Sequence, residues 1–279
     1  MTRHNERTDI LVIGLVSIDI LHIGDKTYKS IGGAGMYTAL ASYSSGALVR
    51  LLAPRSDIVR DELKQFSNVV DWFGPEVQED QLPNLEISHH GNDIATLEAI
   101  DWGAEYQLSK EFLPRDLSKY KIVHVAALSS AERQLYFLDE CLSRGARFVS
   151  VGTYSKVVQQ EPDTVCKLIA KADAFFMNGN EANLLFGSID EISYVDRSQI
   201  VCITLGRDGV RIIDGDSKSD LSAQLVDVVD PTGAGDTFCG STLSGLSSGL
   251  TILQAARQGV HMASIVITGI GPSAVLSSK

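Results

Sequence analysis

The chain has 279 residues, 44% of them hydrophobic, with 24 lysines and arginines against 35 aspartates and glutamates, a formal net charge of −11. That length and apolar fraction suit one large folded domain with a sizeable core. The negative charge argues against nucleic acid or an anionic membrane as a partner. Cys141, Cys166, Cys202 and Cys239 show no CxxC spacing, so neither a zinc site nor a disulfide framework is supported and free thiols are expected. The polar start Met1–Asp9 lacks the apolar core of a secretion signal, and no apolar run approaches 18 residues. A cytoplasmic location without membrane spans is the expectation.

In chain order, Ile10–Gly14 is rich in β-branched residues and predicts a short buried strand. A helix is predicted over 35–45 and a strand over 47–52. Further strands are predicted at 122–126, 147–151, 174–177, 200–204 and 210–213, with helices at 131–143 and 163–172. The run Ala223–Val229 reads as one more strand, followed by a helix to about Ser248 and a last helix over 251–266. Repeated strand and helix alternation predicts an α/β fold, a mainly parallel sheet with helices on both faces. Two segments break the rhythm. Residues 20–30 carry no helical period, and 84–108 reads as a hairpin turning at Gly91-Asn-Asp. Together, at about 19–31 and 84–108, they predict a small β-strand lid on a single domain spanning 1–279.

The densest chemistry is Asp230-Pro-Thr-Gly-Ala-Gly-Asp-Thr-Phe-Cys-Gly240. Gly233, Ala234 and Gly235 let the backbone turn with its N–H groups outward at the positive end of a helix, a cradle for a polyanion. Asp236 falls in the first turn, where a carboxylate can take the proton of an attacking hydroxyl. An isolated Asp there would do no more than complement the helix dipole; the combination is far rarer than its parts. Earlier come Gly32-Gly33 before the first helix, Asp19 at a strand end, Asn178-Gly-Asn-Glu181 after a strand, and Thr204-Leu-Gly-Arg-Asp-Gly209 between two strands. There is no Gly-Lys pair and hence no Walker A loop, and the dinucleotide fingerprint is incomplete. Adjacent His89 and His90 point to opposite faces of a strand and are expected to be solvated.

In content and order these motifs resemble the ribokinase-like (PfkB) carbohydrate kinases. The resemblance implies ATP-dependent phosphoryl transfer to a hydroxyl, with Asp236 as base and the Gly233–Asp236 amides as the anion hole. It implies Asn178 and Glu181 organising Mg²⁺ through water, and Thr204, Gly206, Gly209 and Ser264 beside the nucleotide, with Ile270-Gly271 near the adenine. Asp19, Gly32 and Gly33 would meet the substrate. Tyr37 stands where many sugar kinases of the family carry an Asn, which turns the expectation toward a stacking or apolar contact and toward a neutral sugar, polyol or nucleoside. The acidic hairpin argues against a phosphorylated acceptor. The expected partners are a small-molecule substrate and, through the lid, a homodimer. A non-catalytic nucleotide or ligand sensor is the alternative, and a dinucleotide-dependent oxidoreductase is disfavoured by the missing fingerprint.

Overall fold

β-Branched and apolar runs, buried on both sides, build the centre of the molecule. The structure is a computed structural model that describes residues 9–56, 60–90, 95–192 and 199–277. The first strand, β1 (Ile10–Ile13), is wholly buried. After it come β2 (Ser17–Ile23), β3 (Lys26–Gly32), α1 (Ala34–Ser44), β4 (Val49–Leu52), β5 (Arg55–Ser56), α2 (Asp61–Val69), β6 (Asp71–Phe73) and β7 (Glu76–Val77). A hairpin of β8 (Asn84–His89) and β9 (Ala95–Asp101) precedes β10 (Ile122–Val125) and α3 (Ala131–Ser143). Then follow β11 (Val149–Gly152), α4 (Ser155–Gln160), α5 (Pro162–Lys171), β12 (Ala174–Asn178), α6 (Gly179–Phe186), β13 (Ile200–Thr204), β14 (Val210–Asp214) and β15 (Ser217–Leu221). The chain closes with α7 (Ala234–Ser247), α8 (Ile252–Val266) and α9 (Ser273–Leu276).

Nine strands form the main sheet in the order β15-β14-β13-β12-β11-β10-β1-β4-β6. Pairings from β6 across to β13 are parallel, and β14 and β15 extend the edge antiparallel. Strand alternation divides the core in two. Ile10, Val12, Leu51 and Phe176 face α1, α7 and α8, while Leu11, Ile13, Val151 and Phe175 face α3, α4, α5 and α6. The α/β expectation is met, and most predicted element ends fall within one or two residues of those observed. Chain order reverses beside β1, which has β4 on one side and β10 on the other. In open parallel sheets the crevice at such a reversal, beyond the strand C-termini, is where ligands settle.

A second, four-stranded sheet has the order β3-β2-β8-β9. It is made from the two segments that broke the sequence rhythm. The Gly91-Asn-Asp turn lies outside the described residues. Gly32 ends β3, and Gly33, at φ 95°, is the N-cap of α1. The run Ala223–Val229 is not a strand, contrary to expectation. It has no sheet partner, and Leu225 is 94% exposed. No helix among the described residues is long and apolar enough to cross a membrane.

Candidate active site

Two cavities open beyond the C-terminal ends of the main strands, and both touch the turn that starts α7. The larger, about 380 Å³, runs from Thr204, Gly206 and Gly209 to Ala263 and Ser264, and reaches Ala234 and Gly235. The smaller, about 280 Å³, lies under the four-stranded sheet and reaches Thr232, Gly233 and Asp236. Pro231 borders both. A few residues of backbone therefore separate the two spaces.

Local chemistry fixes that turn. Gly233 is the N-cap of α7 at φ 74°, a left-handed conformation that side chains resist. A Cβ there would stand 2.6 Å from three ring carbons of Tyr37, so the glycine lies flat on the tyrosine face. Thr237 N–H donates to Gly233 O at 2.8 Å and Ala234 N–H to Pro231 O at 3.3 Å. The N–H groups of Gly233, Gly235 and Asp236 find no acceptor among the described residues, as the first turn of a helix requires. The N–H of Ala234, read from sequence as part of the anion cradle, is thus partly engaged.

Asp236 is half-buried, and loss of hydration alone pushes its carboxyl up to about 7. Asp19 is 1% exposed and also pushed up to about 7, by burial above all and then by the charge of Asp230. The Ser17 hydroxyl, donating to Asp19 Oδ1 at 2.6 Å, acts the other way. Gly32 is required beside it, since a Cβ at that position would stand 1.8 Å from Asp19 Oδ2. Tyr37 is 3% exposed with its ring face taken by Gly233. That covered face is not open to a substrate, though Tyr37 still lines the smaller cavity. Its hydroxyl, buried without a partner at the edge of the smaller cavity, is the part left over.

The sequence reading missed the aromatic surface the cavity does have. Trp102, just past β9, meets Tyr154 edge to face at 5.9 Å, and both line the smaller cavity with Leu85, Ile87, Leu97 and Ile100. Thr153 adds a second buried hydroxyl without a partner. None of these sits in a local motif. The one available signal was a tryptophan, one of two in the chain, at the end of the predicted hairpin.

Asn178 and Glu181 form a capping box on α6. Asn178 Oδ1 accepts from Glu181 N–H at 2.9 Å and Glu181 Oε2 from Asn178 N–H at 2.9 Å. Glu181 Oε1 takes Asn178 Nδ2 at 2.6 Å and the Ser155 hydroxyl at 3.2 Å. Glu181 is 3% exposed, and burial, with the charge of Asp236 adding to it, pushes its carboxyl up to about 7 against those hydrogen bonds. No cluster of three or more His, Cys, Asp or Glu among the described residues is arranged for direct metal ligation. Two lone pairs on each oxygen leave Glu181 room for about one more donor. That fits a Mg²⁺ ion that keeps its waters, not one held by an all-protein cage.

Thr204, Gly206, Gly209 and Ser264 come together on the larger cavity. The Ser264 hydroxyl is already engaged, with Gln224 Oε1 at 2.9 Å and His261 O at 2.7 Å, so it ties down the exposed 222–228 segment. Gly271 does not line this cavity; its N–H donates to Asp230 Oδ2 at 2.7 Å. His90 is solvated as expected, but His89 is not. Its ring is 7% exposed and reaches Asp230 and Thr232.

The sequence profile of the pfkB family carbohydrate kinase matches residues 8–279. The chain belongs to this family. It is similar to a cytidine kinase from Thermococcus kodakarensis, 26% identical over 268 residues, covering 93% of this chain and 96% of the relative. A probable sugar kinase from Rhizobium etli superposes with a TM-score of 0.81 at 19% identity, covering 96% of this chain and 95% of the other. A ribokinase from Cryptococcus neoformans, solved with ADP, gives 0.79 at 19% identity over 97% of both chains. At those identities the solved structures carry the fold, and the ribokinase-like α/β architecture is shared throughout.

Proposed function

We propose that the chain is an ATP-dependent phosphotransferase acting on a hydroxyl of a small neutral acceptor, with a nucleoside ahead of simple sugars and polyols. The carrying observation is that the two cavities meet at the start of α7, with Asp236 facing the smaller and Gly235 the larger. ATP would occupy the larger space with its γ-phosphate at the turn. The N–H groups of Gly233, Gly235 and Asp236, at the positive helix end, would take up charge developing on the transferring phosphoryl group. Asp236 would accept the proton of the attacking hydroxyl, a task suited to a carboxyl raised toward neutrality. Mg²⁺ bound with ATP supplies charge neutralisation on the phosphates, and Asn178 with Glu181 would hold it through water.

The acceptor cavity supports the choice of substrate class. Its polar groups include Asp19, Asp236 and the spare hydroxyls of Tyr37 and Thr153, all able to bond ring hydroxyls. Its far wall is aliphatic and aromatic, suited to a base. No lysine or arginine among the described residues lines it, so a second phosphate would find no counter-charge. The likeness to a cytidine kinase along nearly the whole chain points the same way.

ATP consumption should be measured over a panel of nucleosides, neutral sugars, polyols and sugar phosphates. Turnover of at least one nucleoside is the expected result; turnover of sugar phosphates alone would overturn the acceptor class. Asp236→Asn should keep its fold and ATP binding and lose about 10²–10⁴-fold in kcat. A variant within a few-fold of the natural chain would remove Asp236 from the base role.

A further inference from the structure

Among the described residues, one side chain of the four-stranded sheet makes a polar contact with the turn that starts α7. His89 is the last residue of β8, and its Nε2 lies 3.2 Å from Thr232 Oγ1 and 3.2 Å from Asp230 Oδ1. Asp230 is 1% exposed and joins three parts of the chain. Its Oδ1 accepts from Thr232 N–H at 2.8 Å, its Oδ2 from Gly271 N–H at 2.7 Å, and His89 arrives from the hairpin. The hydrogen bond of His89 Nε2 is with the Thr232 hydroxyl, and Asp230 Oδ1 lies close enough for a charge contact when the ring is protonated. Burial lowers the pKa of the ring, and the charge of Asp230 acts in the other direction.

The electrostatics around this contact are one-sided. The charges of Asp19, Asp230 and Asp236 all reach the Tyr37 phenol. Among the described residues His89 is the one basic side chain within 4 Å of Asp230, an ion pair only when its ring is protonated. The two N–H donors to Asp230, from Thr232 and Gly271, belong to the body of the molecule. The His89 contacts with Thr232 and Asp230 come from the hairpin and exist only when it is seated.

We propose that His89 is a positioning residue that docks the β8–β9 hairpin onto the Asp230–Thr232 turn, so that the donors at the start of α7 are fixed when the small sheet covers the acceptor cavity. The inference rests on the phosphotransfer reading for its catalytic consequence, and on geometry alone for the docking. Thr232 is adjacent to Gly233 and four residues before Asp236, so a displacement of the turn moves both the N–H donors and the base. A misplacement of about 1 Å at reacting groups is enough to cost on the order of 100-fold in rate.

His89→Ala and His89→Gln separate the possibilities, since glutamine keeps an N–H near the same place. In His89→Ala, kcat should fall about ten-fold or more with KM for ATP within about two-fold, because the histidine does not line the larger cavity. His89→Gln should recover most of the rate. Amide hydrogen exchange over 84–89 and 230–236 should quicken in the Ala variant and stay near the natural rate in the Gln variant. Natural kcat in His89→Ala, equal losses in both variants, or unchanged exchange in the Ala variant would each overturn the proposal. The exchange measurement needs no acceptor, so a chain that phosphorylates nothing would defeat the phosphotransfer reading while leaving the docking contact to be judged separately.

Discussion

At the scale of single residues, the site turns on the fit between Gly233 and Tyr37 and on the state of three raised carboxyls. Gly233→Ala places a methyl 2.6 Å from three carbons of the Tyr37 ring and forces a left-handed backbone on a residue that resists it. The expected cost is about 1–3 kcal/mol, read as a lower denaturation midpoint, together with a fall in kcat. Shrinking the ring with Tyr37→Ala should recover part of that stability in the double variant; strict additivity would mean that the two residues do not touch. Asp236 makes a second prediction with a definite sign. Its carboxyl sits near 7 when folded against about 4 in the unfolded chain. Folding therefore favours the protonated form, and the stability linked to this group is lost as pH rises from about 4 through 7. Asp236→Asn should melt higher than the natural chain at pH 8, with the gap closing by pH 5. Because the base must be ionised, kcat/KM should fall as pH drops below about 7. Asp19 and Glu181 are raised to about 7 as well, so the acid limb reports the group of carboxyls together. A flat profile from pH 5 to 8 would exclude this account.

At the scale of elements, most of the fold was legible and much of the acceptor cavity was not. β1, β10 to β14, α1, α3, α5, α7 and α8 announce themselves because buried strands need β-branched runs and helices their own period. The signature turn was legible because its chemistry is local, a glycine conformation, a helix end and an acid within seven residues. Ala223–Val229 misled because it is apolar without belonging to the sheet. Ala223, Gln224, Leu225, Val226 and Val228 line the larger cavity, so their pattern answers to that opening and not to a core. His89 misled for a related reason. Strand alternation correctly sent it and His90 to opposite sides, but its hydrogen-bond partner Thr232 lies 143 positions further on and leaves no mark near it. Trp102 and Tyr154 meet across β9 and α4 with the same silence in sequence. The capping box of α6 supplies the element-scale prediction. Glu181→Gln keeps a side-chain acceptor for the Asn178 N–H but removes the charge, so α6 should persist while the Mg²⁺ concentration for half-maximal rate rises. An unchanged midpoint with an intact helix would reduce Glu181 to a cap.

At the scale of the whole molecule, the working parts come from opposite ends of the chain. Seven strands of the main sheet run parallel from β6 to β13 and provide the platform, and the small sheet is inserted between β1 and β10. What closes the platform is α7, the third helix from the end, which packs against α1. The Ser42 hydroxyl donates to Gly240 O at 2.9 Å across 198 positions, and Ser45 Oγ meets Ser241 Oγ at 2.8 Å. Contacts of such separation form slowly, since the loop between them must be closed first. Growing chains fold from the N-terminus as they emerge from the ribosome. The parallel platform can therefore assemble while the residues that would grip a phosphate are still unmade. Until Gly233 to Asp236 arrive and dock, a nascent chain has neither cavity complete and no base, and on the phosphotransfer reading it cannot hydrolyse the cell's ATP without an acceptor. On that reading, tying the reactive turn to a helix docked across 198 positions makes the docking of α7 itself the safeguard against idle turnover.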